Sequence, residues 1–413
     1  MIYKKSKKER MSLGQFFTRD REIDFMIGLS KQPALSNKTG SILEPACGNG
    51  AFLKKLPERA IGLELDHTIA PKQALVMNFF DLSDHTKFAT VIGNPPYVAN
   101  DKIHPETREK AEAFESWSGK TNLFVIFIEK CLNHLEEDGE LIFIVPSIFL
   151  KATSCSSLNK RMYSEGGITD LALFGDTTPF GKDSAPEHET CIFRYEKGNF
   201  DRTTKMYSLK NKEIKYDFDK KYFVDDGGIS FFFDSAVDVS KLYKIGDYFD
   251  VKVGAVTGLD EFFVDDVRGN KEYIFSKTRK TGKTRRMIDE EAPTMWLKEN
   301  VEKLVARKIK SKWTHNSWWK WGRPQPVGSG KRIYVNNKTR VGSPFFQHSC
   351  DNYDGSVLAV FPKDQTMDLT KLVDAFNSID WEMFSIKVGG RHIFKQRVLE
   401  NCYLTQKEFQ KCY

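Results

Sequence analysis

The stretch Ser41-Ile42-Leu43-Glu44-Pro45-Ala46-Cys47-Gly48-Asn49-Gly50 decides the fold. A short apolar run stops at an acid and a proline, then turns through two glycines. That is how a buried strand hands over to a tight turn. Working outward, apolar runs of strand length recur at 60–64, 89–93, 141–145 and 191–195. None shows polar alternation, so each reads as a strand covered on both faces in a largely parallel sheet. Between two of these runs, Asn122 to Leu135 puts Phe124, Phe127, Ile128, Cys131, Leu132 and Leu135 at helical spacing. Glu136-Glu137-Asp138-Gly139 then offers a glycine stop. Strand and helix in alternation predict a doubly wound, Rossmann-like α/β domain over residues 1–205.

The chain has 413 residues, which favours a second domain. Composition changes after about residue 205, where charged and aromatic residues interleave and strands look short. We expect a connector at 206–244 and a mixed α+β domain at 245–413. No unbroken apolar run approaches the roughly 18 to 20 residues of a membrane span. Met1-Ile2-Tyr3-Lys4-Lys5-Ser6-Lys7-Lys8 carries charge where a signal peptide needs an apolar region, so a cytoplasmic location is expected. Seven scattered cysteines, with no CxxC pair, predict a reduced protein without disulfides or a zinc site. From Lys271 to Arg340, nineteen Lys and Arg face six Asp and Glu, a net of +13, so the rest of the +7 chain sums to −6. Such a local excess is either a solvated face or the footprint of a polyanion. Within it, 277–286 reads as a mobile basic loop.

Open parallel sheets bind ligands beyond the carboxyl ends of their strands. Gly48 and Gly50 would let the backbone approach a ligand closely. Glu64, twenty residues after Glu44, ends the next strand and can accept from both hydroxyls of a ribose, with Asp66 the second candidate. A later strand ends in Gly93-Asn94-Pro95-Pro96-Tyr97. Two prolines stiffen this loop. The Asn94 oxygen and the Pro95 carbonyl can then face the two N–H donors of one substrate amine. Tyr97 offers a ring on which a planar base can stack.

Asn94-Pro95-Pro96-Tyr97, with the upstream Glu-Pro-Ala-Cys-Gly turn, resembles the signature of N6-adenine DNA methyltransferases. Further segments follow in that family's order: Gly14-Gln15-Phe16-Phe17-Thr18, Thr121-Asn122-Leu123, and 139–146. Gly254-Ala255-Val256-Thr257-Gly258-Leu259-Asp260 resembles the opening of a target-recognition domain placed after catalysis. The resemblance implies S-adenosylmethionine as cofactor, held by Thr18, Glu44, Ala46, Gly48, Gly50, Glu64, Leu65 and Asn94. It departs from the family at Met77-Asn78-Phe79-Phe80-Asp81, where an acid often meets the cofactor's adenine. Spacing favours Asn78 for the polar edge and Phe79 for the face, with Asp81 as the alternative. It departs again at 174–180, where Phe180 is expected to close on a flipped base opposite Tyr97, with Phe174 or His188 as alternatives.

Adenine is stacked inside duplex DNA, so an enzyme acting on it extrudes it and grips the duplex elsewhere. Arg279, Lys280, Lys283, Arg285, Arg286, Trp319 and Arg323 are the candidates for that grip. The tryptophans of 313–321 read either as core or as a cleft wall, and Gly389-Gly390-Arg391-His392 as a further phosphate element. The expected activity is methylation of adenine N6 in double-stranded DNA by a monomer, within a restriction-modification or related system that can include a separate endonuclease. A cytosine-amino, RNA or protein-glutamine methyltransferase would use the same loop.

Overall fold

The computed structural model describes residues 18–31, 40–174, 190–210, 213–307, 317–324, 330–381, 384, 386–388 and 391–413. The chain divides into two compact units, 1–237 and 238–413.

The first unit is built on one ten-stranded sheet. After helix α1 (Asp20–Leu29) come β1 (Ile42–Glu44), β2 (Ile61–Glu64), β3 (Leu75–Val76) and β4 (Phe88–Gly93). Helices α2 (Pro105–Ala111) and α3 (Leu123–His134) lead to β5 (Leu135–Pro146), and α4 (Ser156–Glu165) leads to β6 (Gly166–Phe174). Strands β7 (Thr190–Lys197), β8 (Thr203–Lys210), β9 (Glu213–Val224) and β10 (Ser230–Asp234) complete it, in the order β10-β9-β8-β6-β7-β5-β4-β1-β2-β3. Strands β1 to β5 run parallel, and β7 is inserted antiparallel between β5 and β6.

Period-two geometry sends alternate side chains to opposite faces. Leu43, Val91, Leu141 and Phe143 join α3 and α4 in one buried cluster. Ile42, Ile92, Ile142 and Ile144 join Ile23 and Met26 of α1 in another. Both faces are therefore covered, which is why these strands read as unbroken apolar runs. Asn122 caps α3 by accepting from the Phe124 N–H at 3.4 Å. The helix ends at His134, ahead of the expected glycine stop, and Asp138 (φ 60°) turns the chain.

The expected connector at 206–244 is instead mostly sheet. Strands β8 to β10 extend β6 outward, and the unit boundary falls at 237/238. The charge on Glu213–Val224 hid this strand, since much of it is exposed.

The second unit is mixed α+β. An antiparallel sheet orders Phe249–Val253, Val357–Pro362, Ile333–Asn336 and Phe345–Phe346. Helix Leu369–Ser378, capped by Asp368, buries Leu372, Ala375 and Phe376. Gly254 has no room for a Cβ, which would meet Asp354 O at 2.2 Å, so the recognition-like segment is pinned at its start. The basic stretch 277–286 is an ordered element. Lys271–Tyr273 pairs with Arg285–Met287, and the helical turn Thr278–Thr281 at the tip ends on Gly282 (φ 66°).

Candidate active site

A cavity of about 640 Å³ opens where β1, β2, β3 and β4 end. Strand β1 pairs with β2 on one side and β4 on the other, so the chain reverses direction across the sheet at this point. Such a switch leaves a crevice between the two loops that diverge from it.

The turn after β1 forms one wall. Cys47 N–H donates to Leu63 O at 2.8 Å, and Gly48 and Gly50 adopt φ of 54° and 77°. A Cβ at Gly50 would meet Pro71 Cγ at 2.8 Å, so glycine is required there by both conformation and space. Glu44, Ala46 and Gly48 line the cavity, while Gly50 shapes the turn from behind.

Glu64 ties this turn to β2. Its Oε2 accepts the Gly48 N–H at 2.8 Å, and its Oε1 accepts the Asp66 N–H at 2.8 Å. Burial raises its pKa, opposed by these amides. A carboxylate has about four lone-pair sites, so both oxygens retain acceptor capacity, and Glu64 lines the cavity. Leu65 and Asp66 also line it, Leu65 being 59% exposed.

Glu44 is 1% exposed, and its Oε2 has no hydrogen-bond partner among the described residues. Burial holds its carboxyl well above the usual range, and the Glu64 charge adds to this against one Leu53 N–H. A buried acceptor without a partner, on a residue of the cavity wall, fits a ligand's cationic donor. The Cys47 thiol is pushed up to about 12 by burial and by Glu44, so it stays protonated at neutral pH and is no nucleophile.

The turn after β3 supplies Met77, Asn78 and Phe79. Phe79 is buried against Phe127, with ring centroids 5.0 Å apart. Asn78 and Phe79 both line the cavity. Asp81 does not line the cavity: it is exposed and ion-paired to Lys110 of α2 at 2.6 Å.

The loop after β4 closes the crevice. Asn94 Nδ2 donates to Thr18 Oγ1 at 3.1 Å, and both residues line the cavity. This contact turns the amide nitrogen of Asn94 toward Thr18. Pro96 lines the cavity, whereas Pro95 is buried outside the lining. Tyr97 also stands outside the lining. Its hydroxyl donates to Ile144 O at 2.8 Å, and its ring meets Phe124 edge-on with centroids 5.9 Å apart. Burial raises its pKa well above that of a free phenol.

Sequence reasoning missed the remaining wall. Lys102, Ile103, His104 and Thr107 come from the charged segment around α2, which carries no motif. Phe180 and His188 lie outside the described residues, as do Gly14 to Phe17. Phe174 is 2% exposed and belongs to the core, so it is removed as an aromatic lid.

Residues 47–180 match the model of the Eco57I restriction-modification methylase family. Type II methyltransferase M.HincII of Haemophilus influenzae is 33% identical over 199 residues, spanning 46% of this chain and 38% of that protein. M.TthHB8I of Thermus thermophilus is 33% identical over 205 residues, spanning 45% of this chain and 46% of its own. Over these residues the chain is similar to restriction-modification DNA methyltransferases. The match covers less than half the length of these methyltransferase relatives. In fold, the chain is similar to the Type IIL restriction-modification enzyme MmeI solved with DNA, with a TM-score of 0.64 and 12% identity over 96% of this chain and 69% of that one.

In the second unit, Arg279 donates to Ser343 O at 3.0 Å and lies over the Phe346 ring, and Arg285 pairs with Asp266 at 3.1 Å. Lys280, Lys283, Arg286 and Arg323 are exposed. Trp321 is core, its indole N–H donating to Ile288 O at 3.1 Å, and the half-buried Trp318 and Trp319 pack against the same cluster. Gly389 and Gly390 lie outside the described residues, while His392 is buried.

Proposed function

We propose that this chain is a DNA methyltransferase of a restriction-modification system, and that it methylates the exocyclic N6 amine of adenine. The observation that carries the reading is Asn94, fixed by Thr18 at the switch point of the sheet beside the cavity. The cavity residues fit S-adenosylmethionine. The unpartnered buried acceptor of Glu44 suits the ammonium of its amino-acid end, the Glu64 carboxylate suits ribose hydroxyls, and Asn78 with Phe79 suits the adenine. Bound there, the cofactor supplies an electrophilic methyl group.

The protein's part is orientation and charge stabilisation. An amine presented at the β4 loop gives one N–H to Asn94 Oδ1 and the other to the Pro95 carbonyl. Both contacts strengthen as positive charge grows on nitrogen. The ring of the extruded base stacks on Tyr97, outside the cofactor cavity. No general base is required, because the alkylated ammonium is acidic enough to lose its proton to water. The second unit grips phosphates through the basic hairpin.

Plasmid DNA incubated with the protein and S-adenosylmethionine, then mapped for modified bases, tests this. N6-methyladenine in one sequence context is expected. Methylated cytosine, or methylation of RNA or protein alone, would replace the reading.

A further inference from the structure

Thr107 sits on α2, outside every motif, yet it is 6% exposed and lines the cavity. Its hydrogen bonding has a direction that can be traced link by link. The Phe80 N–H, which can only donate, gives its proton to Asn78 Oδ1 at 3.1 Å. That fixes the amide, since the reverse orientation would set two donors against each other. Asn78 Nδ2 therefore faces Thr107 and donates to its Oγ1 at 2.9 Å. The threonine oxygen is thus an acceptor in this contact, and its own proton must go elsewhere. Among the described residues it has no further partner, and the side chain borders open cavity.

We infer that the Thr107 hydroxyl donates a hydrogen bond to a ring nitrogen of the cofactor's adenine, making Thr107 a specificity-determining residue of the site. The inference rests on the S-adenosylmethionine reading. Its chemistry follows from Asn78 itself. An isolated amide offers both donor and acceptor, and so does not distinguish an aminopurine from a 6-oxopurine. The chain Phe80 to Asn78 to Thr107 turns that ambiguous pair into a fixed pattern. The Asn78 oxygen keeps a lone pair for the exocyclic amine, and the threonine supplies a donor for a ring nitrogen. Adenine presents the complementary set, an amine donor beside ring acceptors.

The test is calorimetric binding of S-adenosylhomocysteine and its 1-deaza, 3-deaza and 7-deaza analogues to the full chain, compared with Thr107→Val and Thr107→Ser. Wild-type protein should bind one deaza analogue about five- to tenfold more weakly than the parent, the scale of one buried neutral hydrogen bond. Thr107→Val should lose the same factor for the parent and nothing further for that analogue, and Thr107→Ser should restore it. Parent affinity unchanged in Thr107→Val, or an equal loss on the parent and all three analogues, overturns the inference. Failure of the wild type to bind S-adenosylhomocysteine at all is a different result and removes the cofactor reading beneath it.

Discussion

Asn94 and Thr18, far apart in sequence, meet in the cavity wall through a 3.1 Å hydrogen bond from Nδ2 to Oγ1. The bond orients the amide whose oxygen is proposed to meet the substrate amine. Asn94→Ala should reduce methyl transfer by at least about two orders of magnitude, comparable to losing one preorganised polar contact. Thr18→Val removes the orienting contact, and with cofactor saturating a loss of roughly five- to tenfold is expected. Thr18→Ser should recover it. Single-turnover rates with saturating cofactor and DNA measure both, and near-normal turnover in Asn94→Ala would remove the proposed role.

Glu64 is placed for two tasks, and one substitution should disturb both. Its two oxygens clamp the Gly48 and Asp66 amides, and the residue lines the cavity. Glu64→Ala should weaken S-adenosylmethionine binding and also lower the unfolding temperature of the ligand-free protein, because two buried N–H groups lose an acceptor. Unchanged affinity by calorimetry would exclude Glu64 as the ribose acceptor, with Asp66 the next to test.

Glu44 gives a pH signature. Its carboxyl is buried and raised well above the usual range, chiefly by desolvation. A raised acid favours the folded state while it stays protonated, and that contribution is lost as pH rises through the folded pKa. Glu44→Gln keeps the shape without the ionisation. The ligand-free variant should therefore gain thermal stability over wild type as pH rises from 5 to 8, while losing cofactor affinity. A stability difference that does not change with pH would place the Glu44 titration outside this window.

What could be read from sequence tracks how strongly burial constrains residue type. Strands β1 and β4 are buried on both faces, so their apolar runs and the turns that end them stand out. The helix over Leu123–His134 was visible for the same reason. Strands β8 and β9 were hidden because Lys205, Glu213, Lys215 and Asp219 face solvent and mimic a connector. The wall carrying Thr107 was hidden differently. Pro105–Ala111 is a charged surface helix in which one buried threonine leaves no periodic signal. Asp81 misled because an acid at the right spacing also serves as an exposed partner for Lys110.

The basic hairpin allows a prediction in which neighbouring cations behave differently. Arg279 is half-buried, bonded to Ser343 O and set over Phe346, and Arg285 already has Asp266. Lys280, Lys283 and Arg286 are exposed, and among the described residues no ion pair engages them. If the hairpin grips phosphates, these three should dominate the release of counterions. Replacing all three with Gln should weaken DNA binding irrespective of sequence and flatten the log–log salt slope by about 2 to 3, near 0.9 for each phosphate contact. Arg279→Gln should act mainly on the thermal stability of the second unit, with a smaller change in slope. Fluorescence anisotropy of a labelled duplex across a salt series separates the two outcomes. A triple variant that keeps the full wild-type slope would reduce the hairpin to a solvated face and send the search for phosphate contacts to Arg323, or beyond the second unit.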